Sequence, residues 1–476
     1  MVGSPPRPAA RAALRVLPPI VPALAGAAFF GAVSWVLLWR AERLQVPAYD
    51  SAFFEQLVWN LGHGRGFVSG YYGADFLGLH FSPLLLGPAA LERVWPDARL
   101  LALLGAAGLA LSAPAAYLFV RALLGDRGRW LAAGVGAALP LTIAVQNAAG
   151  AGFHTEELAL PLVLLAGWAG LRGRWWACWG CALLALCAKE DQAYAVAVVG
   201  LVLAWRGAQP RHGVALVGAA VAWAAVVVLL VMPALRGAAP SEVASYYTWL
   251  RSASPADVAA ALARPAGWGV LLAMIAGLAG LPLLRPGWLA LALPPLLGDL
   301  LSAHATQPEL HLQYGLPLVV PLVVAAGLGG ERLLRWEPPH LLRERPAVLA
   351  GALLLLPALV AVPFAVRSGF GSLPVRGSAD PALGRLLACT RALPPDAPLA
   401  ADDSVAAPLA ARPVERPLPW AAATDWMVVD RRLTPPDYVD GRWRSGQLAN
   451  APHYGRHLYC DDGRFQLWGP TPVWGS

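Results

Sequence analysis

The sequence predicts an all-α polytopic membrane domain followed by a small α/β domain. Three observations lead there: an apolar, charge-poor composition, a succession of apolar runs, and an uneven distribution of arginine. Of 476 residues, 57% are hydrophobic and 14% charged, and the mean hydropathy is +0.53. Soluble globular domains carry about 25% charge, so that class and disordered chains are both excluded. Five cysteines in so long a chain exclude a disulfide scaffold. Gly and Pro together are 92 of the 476 residues, a load that membrane helices tolerate because their neighbours re-satisfy the backbone. The net charge of +7 does not signal nucleic acid. Of 36 basic residues 35 are Arg, many placed between apolar runs, and no Lys/Arg-rich run of five occurs.

The first apolar run, 16–39, follows Arg7, Arg11 and Arg15 and is closed by Arg40. Further runs lie near 100–120, 130–148, 157–171, 175–187, 192–205, 213–233, 267–284, 288–302, 315–330 and 347–366. About eleven transmembrane helices are therefore expected over 1–366. With the N-terminus inside, the tail after Arg367 lies outside. The segments then assigned inside total 53 residues with 15 Arg. The membrane-domain loops assigned outside total 117 residues with eight Arg and Lys189. Basic density is thus more than three times higher inside, as the positive-inside rule requires. The parity depends on reading 175–187 and 192–205 as two helices. Each covers only about 20 Å, less than a ~30 Å hydrocarbon core, so their junction should be partly sunk in the membrane.

The first outer loop, 40–99, is too long for a connector. Phe53, Phe54, Leu57, Val58 and Leu61 recur at helical spacing opposite Glu55, Gln56 and Asn60, which predicts an amphipathic helix lying along the interface. Gly62, Gly64, Gly66 and Gly70 break it, and Ser82-Pro83 reads as a helix start. The tail, 367–476, is polar and rich in Pro and Asp. It is expected to form a small extracytoplasmic α/β domain, with helices at 383–393 and 404–411 and strands at 398–401 and 426–429. A hairpin is expected from 456–460 and 464–468. No internal repeat is visible, against a transporter built from duplicated halves.

Lys189-Glu190-Asp191 is the sharpest chemical signal. It contains the only lysine of the chain, between two apolar helices. A charge at membrane depth costs about 2.5–3.5 kcal/mol, and a compact ammonium suits a phosphate. A local ion pair with Glu190 or Asp191 is the alternative. Asp50 opens the interfacial helix, either as a general base or as an N-cap. His80 and His154, with Glu156, fall on the same outer face. His63, His80, His154, His304 and His311, together with Asp50, Glu156, Glu190 and Asp191, would suit a phosphate or a divalent cation. No metal-ligand spacing is present. Glu156 and Glu157 also fit the first turn of a helix capped by Thr155. Asp299, followed by His304, His311 and Tyr314, either lines a polar cavity or marks a helix end. Cys178 and Cys181 read as small packing residues, while Cys389 and Cys460 could pair in an oxidising compartment.

In this order the residues resemble an uncharacterised family of membrane proteins, domain of unknown function 2079. The matching pieces are Tyr49-Asp50 with Phe53, Gln56, Trp59-Asn60 and Gly62-His63-Gly64; Phe76-Leu77-Gly78 with His80-Phe81-Ser82-Pro83; Phe153-His154 with Glu156; Lys189-Glu190-Asp191; Tyr314 with Pro317; and, in the tail, Pro395-Asp396, Asp430 and Tyr454-Gly455. Gly152 and Thr155 depart from the pattern, standing where the family usually has an acid and a proline. That family is similar to the GT-C class of integral-membrane glycosyltransferases. The resemblance implies a catalytic carboxylate in the first outer loop, which maps to Asp50. It also implies a polyprenyl-phosphate sugar donor whose phosphate a basic residue in a later loop holds, mapping to Lys189 with His80 beside it. His154, Glu156, Glu190, Asp191, Asp299 and Tyr314 would shape such a site at the plasma membrane. Partners would be the bilayer, the lipid donor and an acceptor that the sequence does not name, without nucleic acid. The alternative is a non-catalytic lipid-phosphate binder or transporter.

Overall fold

The computed structural model describes residues 8–45, 48–335, 382–432 and 455–470. Among these, six helices are long and apolar enough to cross a membrane: Leu17–Glu42, Ala98–Leu124, Asp126–Ala151, Pro210–Arg236, Pro255–Gly277 and Leu312–Arg335. The expected total of eleven is not reached by that measure. The run at 157–171 forms the Thr155–Leu171 helix, one residue short of that length, and the run at 347–366 lies outside the described residues. The run at 288–302 is not one helix but the pieces Pro286–Leu289, Ala290–Ala292 and Leu293–Leu300; the rings of Pro294 and Pro295 at the start of the last remove helical donors.

The interior of the bundle is built from Ala98–Leu124, Asp126–Ala151, Thr155–Leu171 and Leu312–Arg335, whose apolar side chains merge into one core. Lipid gives helices no hydrophobic reason to associate, so close backbone approach carries the packing. A Cβ added at Gly26 would stand 2.6 Å from the Ala110 carbonyl oxygen, and one at Gly213 would meet the Ala204 backbone. Pro210–Arg236 is the opposite case: Val214, Val221, Val226, Leu229 and Leu230 are exposed, and a π-helical segment spans Val227–Val231. As expected, the run 175–205 is two helices, Trp175–Leu186 and Gln192–Arg206, meeting at Lys189-Glu190-Asp191. At the far end of the bundle Arg206, Arg285 and Arg335 converge on Glu331, the last two at 3.8 and 2.7 Å. These arginines come from segments assigned to one side, so the parity of the helices between them agrees with the charge argument.

In the tail, five strands form a sheet in the order β2-β1-β3-β5-β4. β1 (Leu399–Ala401) runs parallel to β2 (Glu415–Pro417) and β3 (Trp426–Asp430). β4 (Arg456–Asp461) and β5 (Phe465–Pro470) make the expected hairpin, with β5 antiparallel to β3. Asp430, buried at the end of β3, receives Arg464 at 2.7 Å. Cys389, the last residue of the Ala382–Cys389 helix, is disulfide-bonded to Cys460. Only β2 was not foreseen, being three residues long with Pro417 at its end.

The first-loop helix, Ala48–Gly62, forms as predicted, but its polar face is not in water. Glu55, Gln56 and Asn60 are fully buried. Asn60 Nδ2 donates to the carbonyls of Val68 (3.0 Å) and Pro413 (3.1 Å), and Gln56 Oε1 accepts from Ser69 Oγ and the Gly70 amide. Gly70 lies against the Glu415 carbonyl so closely that a Cβ has no room. Ala52 and Leu57 share a core with Val405, Ala406 and Leu409. The helix is therefore clasped between the membrane helices and the tail sheet, not laid along a lipid surface. Two caps also differ from expectation. Asp50 is the third residue of its helix, and His154, not Thr155, caps Thr155–Leu171.

Candidate active site

The site is assembled from three short stretches: the first turn of Ala48–Gly62, the start of Thr155–Leu171, and the turn 187–191. The first brings Asp50, whose Oδ2 is 3.7 Å from His154 Nε2 and which is one-third exposed. His154 is held by an extended backbone following Gly152, whose φ of +98° belongs to the region that favours glycine. The His154 ring stands edge-on to Phe54 at 5.5 Å between ring centres.

Glu156, buried in the first turn of its helix where the macrodipole favours a carboxylate, accepts Lys189 Nζ at 2.6 Å. Lys189 is also 3.5 Å from Asp191. The local ion-pair reading of the lone lysine holds for Asp191, and a second partner, Glu156, comes from 33 residues away. Burial works against the ammonium, but Glu156, Asp191 and Glu190 outweigh it and hold its pKa well above the ordinary lysine value. Glu190 turns the other way. Its carboxylate takes His80 Nδ1 at 2.8 Å and the Phe81 amide at 2.9 Å. Burial opposes its charge, yet His80 holds its pKa down at about 2. For Asp191 burial prevails and the pKa is raised. The turn is fixed further by the Leu84 amide, which donates to the Cys187 carbonyl at 2.8 Å.

Two cavities meet at this cluster. One, of about 350 Å³, contains Asp50, Tyr71, Tyr72, His154 and His304. The other, of about 830 Å³, contains Glu190, Asp191, Arg236, Tyr247 and Asp299, and reaches Val228 and Met232 on the poorly covered Pro210–Arg236 helix. Both are bordered by His80, Glu156, Lys189, Tyr246, Gln313 and Tyr314. Asp50 borders only the smaller and Asp299 only the larger. Asp299 accepts Gln307 Nε2 at 2.7 Å and is the penultimate residue of its helix, so cavity wall and helix end are both true of it. Of the five histidines expected together, His80, His154 and His304 border the smaller cavity. His63 instead stacks on Trp59 at 4.0 Å, and His311 pairs with Glu309 at 3.2 Å on the surface. Among the described residues, no three His, Cys, Asp or Glu side chains converge as a metal-ligand group.

Sequence reasoning missed Arg236, Tyr246 and Gln313. Arg236 Nη1 donates to the Gly78 carbonyl (3.0 Å) and Nε to that of Ala239 (3.1 Å), which leaves donors over. Its signal was available: Arg236 is one of the few arginines in segments assigned outside, where the positive-inside rule disfavours them.

The family model described as "Predicted membrane protein (DUF2079)" matches residues 40–450. The chain belongs to that family. A comparison with curated proteins returned no match. Among solved structures, the DUF2079 chain is similar to ArnT from Cupriavidus metallidurans, crystallised with undecaprenyl phosphate. The TM-score is 0.51 at 14% identity, over 93% of this chain and 97% of that one. At that identity the likeness is one of fold, and it agrees with the GT-C resemblance read from the sequence of this DUF2079 protein.

Proposed function

We propose that the chain is a GT-C-like glycosyltransferase that moves a sugar from a polyprenyl-phosphate donor to an acceptor hydroxyl on the outer face of the membrane. One observation carries this: the cavity of Asp50 and the larger cavity of Arg236 share a wall made by Lys189. A donor whose phosphate sits at Lys189, His80 and Arg236 would lay its prenyl chain toward Val228 and Met232. Its sugar would then face Asp50 across the shared wall. Asp50 takes the proton of the acceptor hydroxyl as that oxygen bonds to the anomeric carbon. The bond from that carbon to the phosphate oxygen breaks with inversion. Lys189 and Arg236 stabilise the charge left on the lipid phosphate, the largest expected contribution. His154 orients Asp50, Glu156 and Asp191 fix Lys189, and Glu190 fixes His80. Asp299 and Tyr314 shape the donor cavity. No step is routed through a metal.

The lipid in the ArnT crystal supports a polyprenyl-phosphate ligand for this fold. The arginine distribution and the Cys389–Cys460 disulfide support an outward-facing tail at the plasma membrane. The test is sugar transfer by purified protein from polyprenyl-phosphate sugars, with donor binding measured separately. Asp50→Asn is expected to lower turnover by about 10²–10⁴-fold with donor binding kept. Arg236→Ala is expected to weaken donor binding. Full turnover in Asp50→Asn overturns the base. Donor binding without any transfer by the unaltered protein favours a lipid-phosphate binder.

A further inference from the structure

Two helices that end on the side assigned inside, Ala98–Leu124 and Thr155–Leu171, form a trough between them. They meet backbone to backbone, since a Cβ added at Gly108 would stand 2.5 Å from the Glu157 carbonyl oxygen. The longer side chains flanking that contact therefore stand up as walls. Leu104, Leu111 and Leu118 recur every seven residues on the first helix, and Leu158, Leu162 and Leu165 follow helical spacing on the second. They border a space of about 730 Å³ lined by apolar residues alone. Leu111 is 59% exposed, so the trough opens toward lipid and is not sealed in the core.

At its inner end the same two stripes turn basic. Arg121 follows Leu118 by three residues, and Trp168 and Arg172 follow Leu165 by three and seven. With Arg174 they border a second space of about 330 Å³, which meets the first at Leu118. The one carboxylate in its lining, Asp126, takes Arg121 at 2.9 Å. Among the described residues Arg172 and Arg174 form no ion pair, and Arg174 lies over the Trp168 ring at 5.1 Å. The other inner cluster differs, because there Arg206, Arg285 and Arg335 all reach Glu331. The positive-inside rule accounts for arginines on this side, but not for an apolar trough that runs straight into them.

We propose that trough and pocket together seat one anionic phospholipid of the inner leaflet, with its phosphate on Arg172 and Arg174 and an acyl chain along the leucines. Guanidinium forks match phosphate oxygens in pairs, whereas a zwitterionic head would bring its own cation against three arginines. From Arg121 back to Leu111 is about 15 Å along the helix, half of a ~30 Å hydrocarbon core. A chain anchored at the pocket thus ends near the midplane, still within the trough. No residue of this site borders the two cavities around Lys189, and the inference stands or falls without sugar transfer.

The test uses the full chain, stripped of lipid in detergent, with thermal unfolding as the readout. The probes are dioleoylphosphatidylglycerol, dioleoylphosphatidylcholine and water-soluble glycerol 3-phosphate. A ligand that binds only the folded state raises Tm in a saturable way. The phosphatidylglycerol is expected to do so by several degrees, and the other two are not. Replacing both exposed arginines, Arg172→Gln with Arg174→Gln, should raise its half-maximal concentration about 10–30-fold. Leu118→Trp, where trough and pocket join, should also weaken the effect, while Arg236→Ala in the donor cavity should leave it unchanged. An equal shift with phosphatidylcholine or glycerol 3-phosphate overturns the proposal. So does no shift with phosphatidylglycerol, an unchanged effect in the double variant, or its loss in Arg236→Ala.

Discussion

Two buried acidic clusters flank the same fifteen-residue helix, Ala48–Gly62, and they are neutralised differently. On the Asp50 side, Glu156, Glu190 and Asp191 are met by Lys189, by His80 and by a backbone amide. On the other side, Glu55 and Glu92 have no cation of their own among the described residues, because Arg99 is spent on Asp97. Burying a charge costs several kcal/mol unless it is paired and hydrogen-bonded. The first cluster is complete within the chain and holds its shape without a ligand. The second is relieved by a proton, since burial raises both carboxyls.

Four changes would break or sharpen this contrast, each followed by unfolding in detergent. Lys189→Met leaves Glu156 and Asp191 buried without their cation and should cost about 3–5 kcal/mol; a loss below about 1 kcal/mol would mean that the cluster is not interlocked. Glu190→Gln removes a charged acceptor from His80 and the Phe81 amide and should cost about 1.5–3 kcal/mol. Glu55→Gln should go the other way, with a gain of about 1–2 kcal/mol at neutral pH, since the amide can donate to Glu92 and no charge need be buried. The fourth effect is in pH. Burial raises the Glu92 carboxyl to about 7, so the folded state keeps a proton that the unfolded chain releases near the ordinary glutamate value. Its contribution is complete below that value and is lost as pH rises through about 7. Thermal stability should accordingly decline from about pH 5 to about pH 8, and Glu92→Gln should flatten the decline.

Much of the Asp50 side was legible because its residues are chemically conspicuous. A single lysine among 35 arginines, in a turn between apolar helices, stands out without any structure. Asp50, His80 and His154 followed from their place in segments assigned to one side. What was illegible was set by partners distant in the chain. Glu55, Gln56 and Asn60 have the spacing of a water-facing stripe, and nothing local reveals that the tail will cover them. Arg236 resembles any arginine closing an apolar helix until Gly78 is seen to receive it. The strands at 399–401 and 426–430 announced themselves as apolar runs between turn residues, whereas Glu415–Pro417 has neither length nor alternation.

The bond from Asn60 to the Pro413 carbonyl spans 353 positions. A nascent chain therefore inserts its first helices and the Asp50 segment long before the residues that will back them have been translated. Until those last residues arrive, the asparagine and its buried neighbours must make do with water or lipid headgroups. Contacts so far apart in sequence form late, so a chain released early, or cut after its last apolar helix, should keep its helices yet leave the Asp50 segment without its backing.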